Sequence, residues 1–337
     1  MSNTLLNDLL REYELKREKA NFKAESAKKN LYLKIPRLQE IEDEINSSAI
    51  NTAKNILINI SNNNSSVMAL QEKVNKLKLE RQEILKSFNI SDDYFKPKYE
   101  CEICKDTGYI FSTTSKSVMC NCLKQKLLNC SYNKSNINNI SIQNFSTFDS
   151  SMFSDDVNIA KYKFNISPRK NIENIKRGCI EFIKNFDNPN YKNLLFTGNT
   201  GLGKTFMSNC IAAELLKEGK TVLYQTAPVL LETIIDNKMS KIKTPESLNF
   251  YNNILETDLL IIDDLGTECI NSMKLSELFT ILNTRLLNLN SKITKTIIST
   301  NLNIKDIFKN YEERIGSRIA GFYNIYFFFG DDLRLKK

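Results

Sequence analysis

Gly198-Asn-Thr-Gly-Leu-Gly-Lys-Thr205 is the stretch of this 337-residue chain whose residue types and spacing most directly dictate a chemistry. The pattern G-x-x-x-x-G-K-T is that of a phosphate-binding loop. A polyphosphate needs many backbone N–H groups aimed at one point, and only a glycine-rich turn brings the main chain that close. Gly198, Gly201 and Gly203 supply that freedom, and Asn199, Thr200, Leu202 and Phe206 complete the cradle. In such a loop Lys204 reaches the terminal phosphates of ATP and Thr205 ligates Mg²⁺.

A second pattern, Leu259-Leu-Ile-Ile-Asp263-Asp264, sets acids at the end of four apolar residues. That describes a central strand whose carboxyl end faces the phosphates. Asp263 suits the Mg²⁺ position, and Asp264 suits the attacking water. Many related ATPases carry glutamate at the second position. Aspartate reaches one methylene less, so slow hydrolysis is expected. Asn301 directly follows the apolar run Thr296-Ile-Ile-Ser-Thr300. A polar side chain there can meet the γ-phosphate or its water, but asparagine equally suits a helix N-cap. Arg314, Arg318 and Arg334 lie in the C-terminal part. A neighbouring subunit's arginine can neutralise charge on the γ-phosphate, but spacing alone selects none of the three.

Eight cysteines and no histidine bound the remaining chemistry. His-based triads and His-ligated metals are excluded, so any metal site is built from Cys, Asp or Glu. Cys101-x-x-Cys104 and Cys120-x-Cys122 place four thiols on two tight turns, enough to close a tetrahedral Zn²⁺ site with no open position. Gly108 suits the turn after the first pair. The second pair is C-x-C rather than the commoner C-x-x-C, and Cys130 is a substitute ligand. A redox C-x-x-C competes, but a second pair at metal-site spacing favours zinc.

These groups need elements to position them. Leu194-Leu-Phe-Thr197 reads as a buried strand before the loop, and Phe206 to Leu216 as a helix with Gly219 at its C-cap. Beyond it, strands at 221–224, 258–263, 296–300 and 323–329 alternate with helices at 229–237, 245–256, 275–289, 304–309 and 312–320. Leu278, Phe279, Leu282 and Leu286 are expected to face inward. Alternation of this kind implies an α/β fold with a parallel sheet between helices. The front is different. Residues 1–95 carry helical periodicity, with a stripe of Leu5, Leu6, Leu9, Leu10 and Tyr13, a restart at Pro36, a turn at Asn62–Ser66 and near-heptad spacing from Val67 to Phe88. A helical hairpin fits, serving as a spacer or as a partner-docking arm. The expected domains are therefore 1–95 helical, 96–130 zinc-binding, 131–170 linker and 171–337 nucleotide-binding. Aromatics at Phe145, Phe148 and Phe153 are placed to pack on the last of these, with contact to an adenine as a further role open to them. The net charge of +8 is compatible with nucleic acid. No apolar run is long enough to cross a bilayer, and the N-terminus has no apolar signal core, so a cytoplasmic protein with no membrane partner is expected.

Taken together, Gly198–Thr205, Ile262-Asp-Asp-Leu-Gly266, Ser299-Thr-Asn-Leu302, Glu313-Arg-Ile-Gly-Ser-Arg-Ile319 and Gly330-Asp-Asp-Leu-Arg334 resemble the helicase loaders of the DnaC/DnaI type and the related IstB-like ATP-binding proteins of the AAA+ class. The resemblance covers about 145–337 well. The stretch from Asp93 to Tyr109, with its cysteine pair, also resembles the zinc-bearing front of loaders from low-GC Gram-positive bacteria and their phages. It implies that Asn301 is the first sensor, Arg318 the arginine finger acting in trans with Arg314 as second choice, and Arg334 the second sensor. The resemblance leads to the expectation that no helical lid follows Arg334, which would fit the loader branch and loosen the role of Arg334. The helical insertion at about 229–256 would meet single-stranded DNA, with Lys238, Lys241 and Lys243 as phosphate contacts. The implied function is ATP-dependent loading of a hexameric replicative helicase through the front domain, with self-assembly on ATP and DNA, and a replication initiator as a further partner. An IstB-type ATPase serving a transposase is the alternative. Such proteins usually have no zinc-bearing helical front of this length. A purely structural coiled-coil scaffold is a third class, opposed by the nucleotide motifs.

Overall fold

The computed structural model describes residues 2–58, 63–111, 117–131, 142–240, 245–287 and 292–335. It falls into two units, residues 3–118 and residues 119–337 together with the first two residues.

The first unit is built on three helices, α1 (Ser2–Lys34), α2 (Pro36–Ile58) and α3 (Asn63–Ser87). Pro36 starts α2, because proline cannot continue α1 but suits a first helical turn. Of the expected stripe, Leu9 and Tyr13 are buried. Leu31, Leu38 and Leu85 form a core with Ile90 and Phe95 against it. Of the turn expected at 62–66, residues 63–66 instead open α3, which begins at Asn63, and Asn62 lies outside the described residues. Polar Asn and Ser at a helix start are favourable, so the same residues serve either reading. A small ribbon follows, β1 (Tyr109–Phe111) with β2 (Ser117–Met119).

In the second unit α4 (Asn121–Ser131) is followed, within the described residues, by the single turn α5 (Ile159–Tyr162) and by α6 (Pro168–Lys184). Then come β3 (Asn193–Gly198), α7 (Lys204–Lys217), β4 (Val222–Thr226), α8 (Ala227–Met239), α9 (Pro245–Glu256), β5 (Leu259–Leu265), α10 (Ser272–Leu287), β6 (Lys295–Thr300), α11 (Ile304–Asn310), α12 (Glu312–Phe322) and β7 (Tyr323–Phe328). The sheet has the order β4-β5-β6-β3-β7, and every pairing is parallel.

Alternation along each strand divides the core in two, because successive side chains point to opposite faces. Leu194, Phe196, Tyr224, Ile261 and Ile297 meet α6 and α7 on one face. Leu195, Leu223, Leu260, Ile262 and Ile298 meet α8 to α12 on the other. Each such buried aliphatic contributes roughly 1.5–3 kcal/mol. Gly219 ends α7 as expected, at φ +77, with Lys220 N–H on Leu215 O and Gly219 N–H on Leu216 O. The edge strand β4 is capped by a side chain. Gln125 on α4 accepts from Val222 N–H (2.6 Å) and donates to Val222 O (3.0 Å), pairing as a neighbouring strand would.

Two inward positions of α10, 279 and 286, differ from the periodicity. On α10, Leu278 and Leu282 are buried, but Arg285 takes the deep place expected for Leu286. Its guanidinium donates to the carbonyls of Ile254, Leu255, Thr257, Asp258 and Lys295 and to the Thr296 hydroxyl. The last carbonyls of α9 are thereby satisfied, which no leucine could do. Among the described residues, no helix is long and apolar enough to cross a membrane.

Candidate nucleotide site and cysteine cluster

The strand order gathers the predicted groups. β6 lies between β3 and β5, so Asn301, just past β6, stands between the loop after β3 and the acids at the end of β5. Lys204 Nζ donates to Asn301 Oδ1 (2.8 Å) and to the carbonyls of Gly198 (2.5 Å) and Asn199 (2.7 Å). The helix N-cap role belongs to Asn303 instead, whose side chain accepts from Asp306 N–H. Burial pushes the Lys204 ammonium down to about 8, against the pull of Asp264 and Asp263. A lysine held this way is set to gain from an anion that replaces its carbonyl partners.

The loop's glycines are required by geometry. Gly201 sits at φ +72 and Gly203 at φ +86, where side chains are disfavoured. A Cβ on Gly198 would stand 2.0 Å from the Phe328 carbonyl oxygen. Gly203 caps α7, aiming that helix's N-terminus at the loop. Leu202 is buried, while Asn199, Thr200 and Thr205 face outward. Phe206 packs on Phe148, which meets Phe153 in turn, so these aromatics ahead of β3 lie on the loop's helix.

Thr205 Oγ1 donates to Asp263 Oδ2 at 3.0 Å, so two oxygen donors suited to a hydrated divalent cation stand side by side. Asp263 also accepts from the hydroxyls of Tyr224 and Ser299. Neither was singled out as a site residue in the sequence. Tyr224 reads in the sequence only as the end of a strand, and the neighbouring register of β4 and β5 reveals its hydroxyl beside the acid. Asp264 adopts φ +54, a left-handed conformation uncommon outside glycine, at an irregularity in the β5–β6 pairing. Its N–H donates to Asp263 Oδ1 and Ser299 Oγ, both at 3.1 Å. Burial, and then the charge of Asp263, push the Asp264 carboxyl up, and Lys204 and Arg334 oppose them.

The C-terminal segment crosses the loop. Leu333 N–H donates to Gly201 O (3.0 Å), and the Asp332 carboxylate occupies the space a Gly201 side chain would need. Arg334 follows, exposed, with its charge acting on both Lys204 and Asp264. Arg314 and Arg318 lie elsewhere. Both lie over the Phe279 ring, at 4.4 and 4.5 Å from its centre, and Phe279 is half-buried rather than fully inward. Arg318 Nε donates to Asn283 (2.8 Å) and Arg314 Nε to Glu312 (2.7 Å). Lys238 pairs with Glu277 (2.5 Å) over Tyr251, while Lys241 and Lys243 lie outside the described residues.

The four expected thiols, Cys101, Cys104, Cys120 and Cys122, lie within 4.8 Å of one another, and Cys130 is not among them. Tetrahedral zinc at Zn–S of about 2.3 Å needs sulfurs about 3.8 Å apart, so the donor set fits. The first knuckle turns through positive φ at Lys105, Asp106 and Gly108. Buried Asp106, unremarked in the sequence, holds that turn by accepting from Glu100 N–H and Cys101 N–H, both at 2.9 Å.

A glycine-rich loop and helix facing paired acids across a parallel sheet define a P-loop nucleotide-binding protein of the AAA+ class. Residues 144–313, half of the chain, match the family described as IstB-like ATP binding protein, and the chain belongs to that family. It is 27% identical over 139 residues to the replicative helicase loader DnaC of Escherichia coli K12, covering 41% of this chain and 54% of that protein. It is 30% identical over 132 residues to the chromosomal replication initiator protein DnaA of Helicobacter hepaticus, covering 38% of this chain and 26% of that one. The chain thus spans about half the length of the loader relatives, and less of the initiators. The crystal structure of DnaI superposes with a TM-score of 0.44 at 22% identity, over 57% of this chain and 94% of that one.

Proposed function

We propose that this chain is an ATP-hydrolysing loader of a hexameric replicative helicase. One observation carries the reading: Lys204, Thr205, Asp263, Asp264 and Asn301 converge at the carboxyl ends of three adjacent strands. The likeness to DnaC supports the choice of partner.

In this reading the Gly198–Phe206 loop holds the ATP phosphates. Lys204 exchanges its carbonyl partners for phosphate oxygens. Thr205 and Asp263 hold Mg²⁺, which neutralises phosphate charge when bound, while Tyr224 and Ser299 fix the Asp263 carboxylate. Asp264 orients water, Asn301 senses the γ-phosphate, and Arg334 reaches it from the same chain. Arg318, or Arg314 in its place, serves the neighbouring subunit's site in an assembly formed on ATP, DNA and helicase. Residues 1–95 dock the helicase, 96–130 form the zinc module, 131–170 link, and 171–337 form the ATPase. The segment about Lys238 to Lys243 contacts single-stranded DNA, and an initiator of the DnaA kind is a further partner.

Capture tests the reading. The immobilised full chain should retain the cognate replicative helicase, more so with ATP, and should not retain a transposase. Retention of the transposase instead would overturn it. Zinc is tested separately: one Zn²⁺ per chain is expected, and a Cys101→Ser/Cys104→Ser double variant that keeps stoichiometric metal would remove that assignment.

A further inference from the structure

Glu268 has no part in the nucleotide chemistry above, yet it is buried at 8% exposure two residues after Gly266 begins its turn away from β5. Its two carboxylate oxygens are divided between two elements. One accepts from Gly266 N–H at 3.0 Å. The other accepts from the Tyr311 hydroxyl. Gly266 stands two residues after Asp264. Tyr311 stands immediately before α12, the helix that carries Arg314 and Arg318.

Both ends of this link are strained. Asp264 has φ +54 and Glu312 has φ +65, and neither is glycine. Such conformations cost about 1–3 kcal/mol each and persist only where the surroundings over-determine them. The surroundings here do so. Gly266 at φ +106 packs so closely on Leu302, the residue after Asn301, that a Cβ would stand 2.8 Å from it. Thr300 Oγ1 donates to Leu265 O (2.6 Å) and Thr267 Oγ1 to Asp264 O (2.8 Å). At the other end the Tyr311 ring is buried at 1% exposure. Gly316 lies against the Phe308 ring with no room for a side chain, which locks α12 to α11. A displacement of the Asp264 turn therefore has a rigid route to α12, and the carboxylate of Glu268 is its narrowest point.

We propose that Glu268 and Tyr311 form a positioning joint that sets the Asp264 turn and the arginine-bearing helix α12 together, so that nucleotide held by a chain is reported to the arginines it offers its neighbour. The joint rests on the nucleotide reading given above. It adds a regulatory connection within one chain to a site otherwise described group by group.

Hydrogen exchange on the full chain, with and without ATPγS and Mg²⁺, tests it. In the wild type, nucleotide should slow exchange at 198–205, at 264–268 and at 312–318, the last by about tenfold, the scale of a typical coupling free energy. Tyr311→Phe keeps the buried ring and removes one hydroxyl. It should keep the slowing at 198–205 and lose it at 312–318. Glu268→Gln can still bridge through its amide and should retain part of the response, which a packing defect alone would not restore. Equal slowing at 312–318 in Tyr311→Phe and wild type would overturn the joint while leaving the nucleotide site intact. Absence of slowing at 198–205 in the wild type would instead remove the nucleotide reading, and the joint with it. If Tyr311→Phe proves too unstable, Glu268→Ala read against Glu268→Gln decides the same question.

Discussion

The two ends of the five-stranded sheet both hold buried charge, and they use it in opposite ways. At the amino ends of β5 and β6, Arg285 and Lys295 are each 2% exposed, and Asp258 is buried beside them. There the main chain closes around the charges. Arg285 serves five carbonyls, Lys295 donates to Asn188 O and Tyr191 O, and Asp258 accepts from Thr221 N–H and Oγ1 at 2.7 Å. Burial pushes the Asp258 carboxyl up, but the Thr221 hydrogen bonds and the Lys292 ammonium outweigh it and hold it down. At the carboxyl ends the backbone is strained at Asp264, two acids repel each other, and Thr205 and Asn301 face outward. Perturbed pKa values occur at both ends, so perturbation alone does not mark a functional site. The mark is the combination of perturbation, backbone strain and outward-facing donors at one place.

The most severe way to break this comparison is at Arg285. Burial has already pushed its guanidinium down to about 10, so the charge itself is costly there. Arg285→Ala strands several buried carbonyls and is expected to cost at least about 4 kcal/mol in urea unfolding. A loss below about 1 kcal/mol would mean that water reaches those carbonyls, and the closed description of that end would fail.

Arg318 is the opposite kind of arginine. It is half-exposed, lies on Phe279, and among the described residues gives Nε to Asn283. Its donor fork is well suited to an anion supplied from outside the chain. Arg318→Ala should leave ATP affinity of the free chain intact and reduce assembly-stimulated hydrolysis by about 10³-fold. Arg318→Ala chains mixed with Lys204→Ala chains, on DNA with helicase, should recover part of the activity. Recovery by an Arg314→Ala mixture alone would move the finger to Arg314.

Asp264→Asn should separate chemistry from stability at the working end. Asparagine tolerates the left-handed conformation as aspartate does. The change also removes the repulsion with Asp263. Stability should hold or rise slightly, ATP binding should persist, and hydrolysis should fall by about 10²-fold or more. Hydrolysis at the wild-type rate would exclude Asp264 as the group that orients water.

Much of the working end was legible in the sequence because its groups sit in contiguous motifs. Gly198–Thr205 and Ile262–Gly266 carry both the residues and the strand context that places them. The strand alternation announced the sheet, and the cysteine spacing announced the cluster. The groups that escaped notice depend on neighbours distant in the chain. Tyr224 reaches Asp263 only through the β4–β5 register, and Asp106 matters only once its carboxylate is seen closing the knuckle turn. Arg285 was hidden by its type, since periodicity assigns inward places to leucine, and here the carbonyls of α9 demand donors instead. Glu268 and Tyr311 lie 43 residues apart and in no motif.

The smallest expected effect sharpens the comparison most, because it concerns two lysines with the same displaced pKa. Burial pushes both Lys204 and Lys295 down to about 8. An unfolded lysine titrates near 10.5. Between about 8 and about 10.5 the unfolded chain therefore binds more protons at position 295 than the folded one, and stability contributed there rises with pH. Below that window the cost of burying the charged ammonium is present in full. Lys295→Met removes the titration and most of the polar head. The stability gap between wild type and Lys295→Met should shift toward the wild type as pH rises through the window, by at most about 1.4 kcal/mol per pH unit. Urea unfolding of both proteins at about pH 7.5 and about pH 9.5 measures the shift. A flat gap would mean that the Asn188 and Tyr191 carbonyls offset burial completely. ATP affinity should be unchanged in Lys295→Met and lost in Lys204→Ala, although burial displaces both ammonium groups alike. Loss of ATP binding in Lys295→Met without unfolding would show that the two ends are coupled through β6, and the division of labour along the sheet would have to be redrawn.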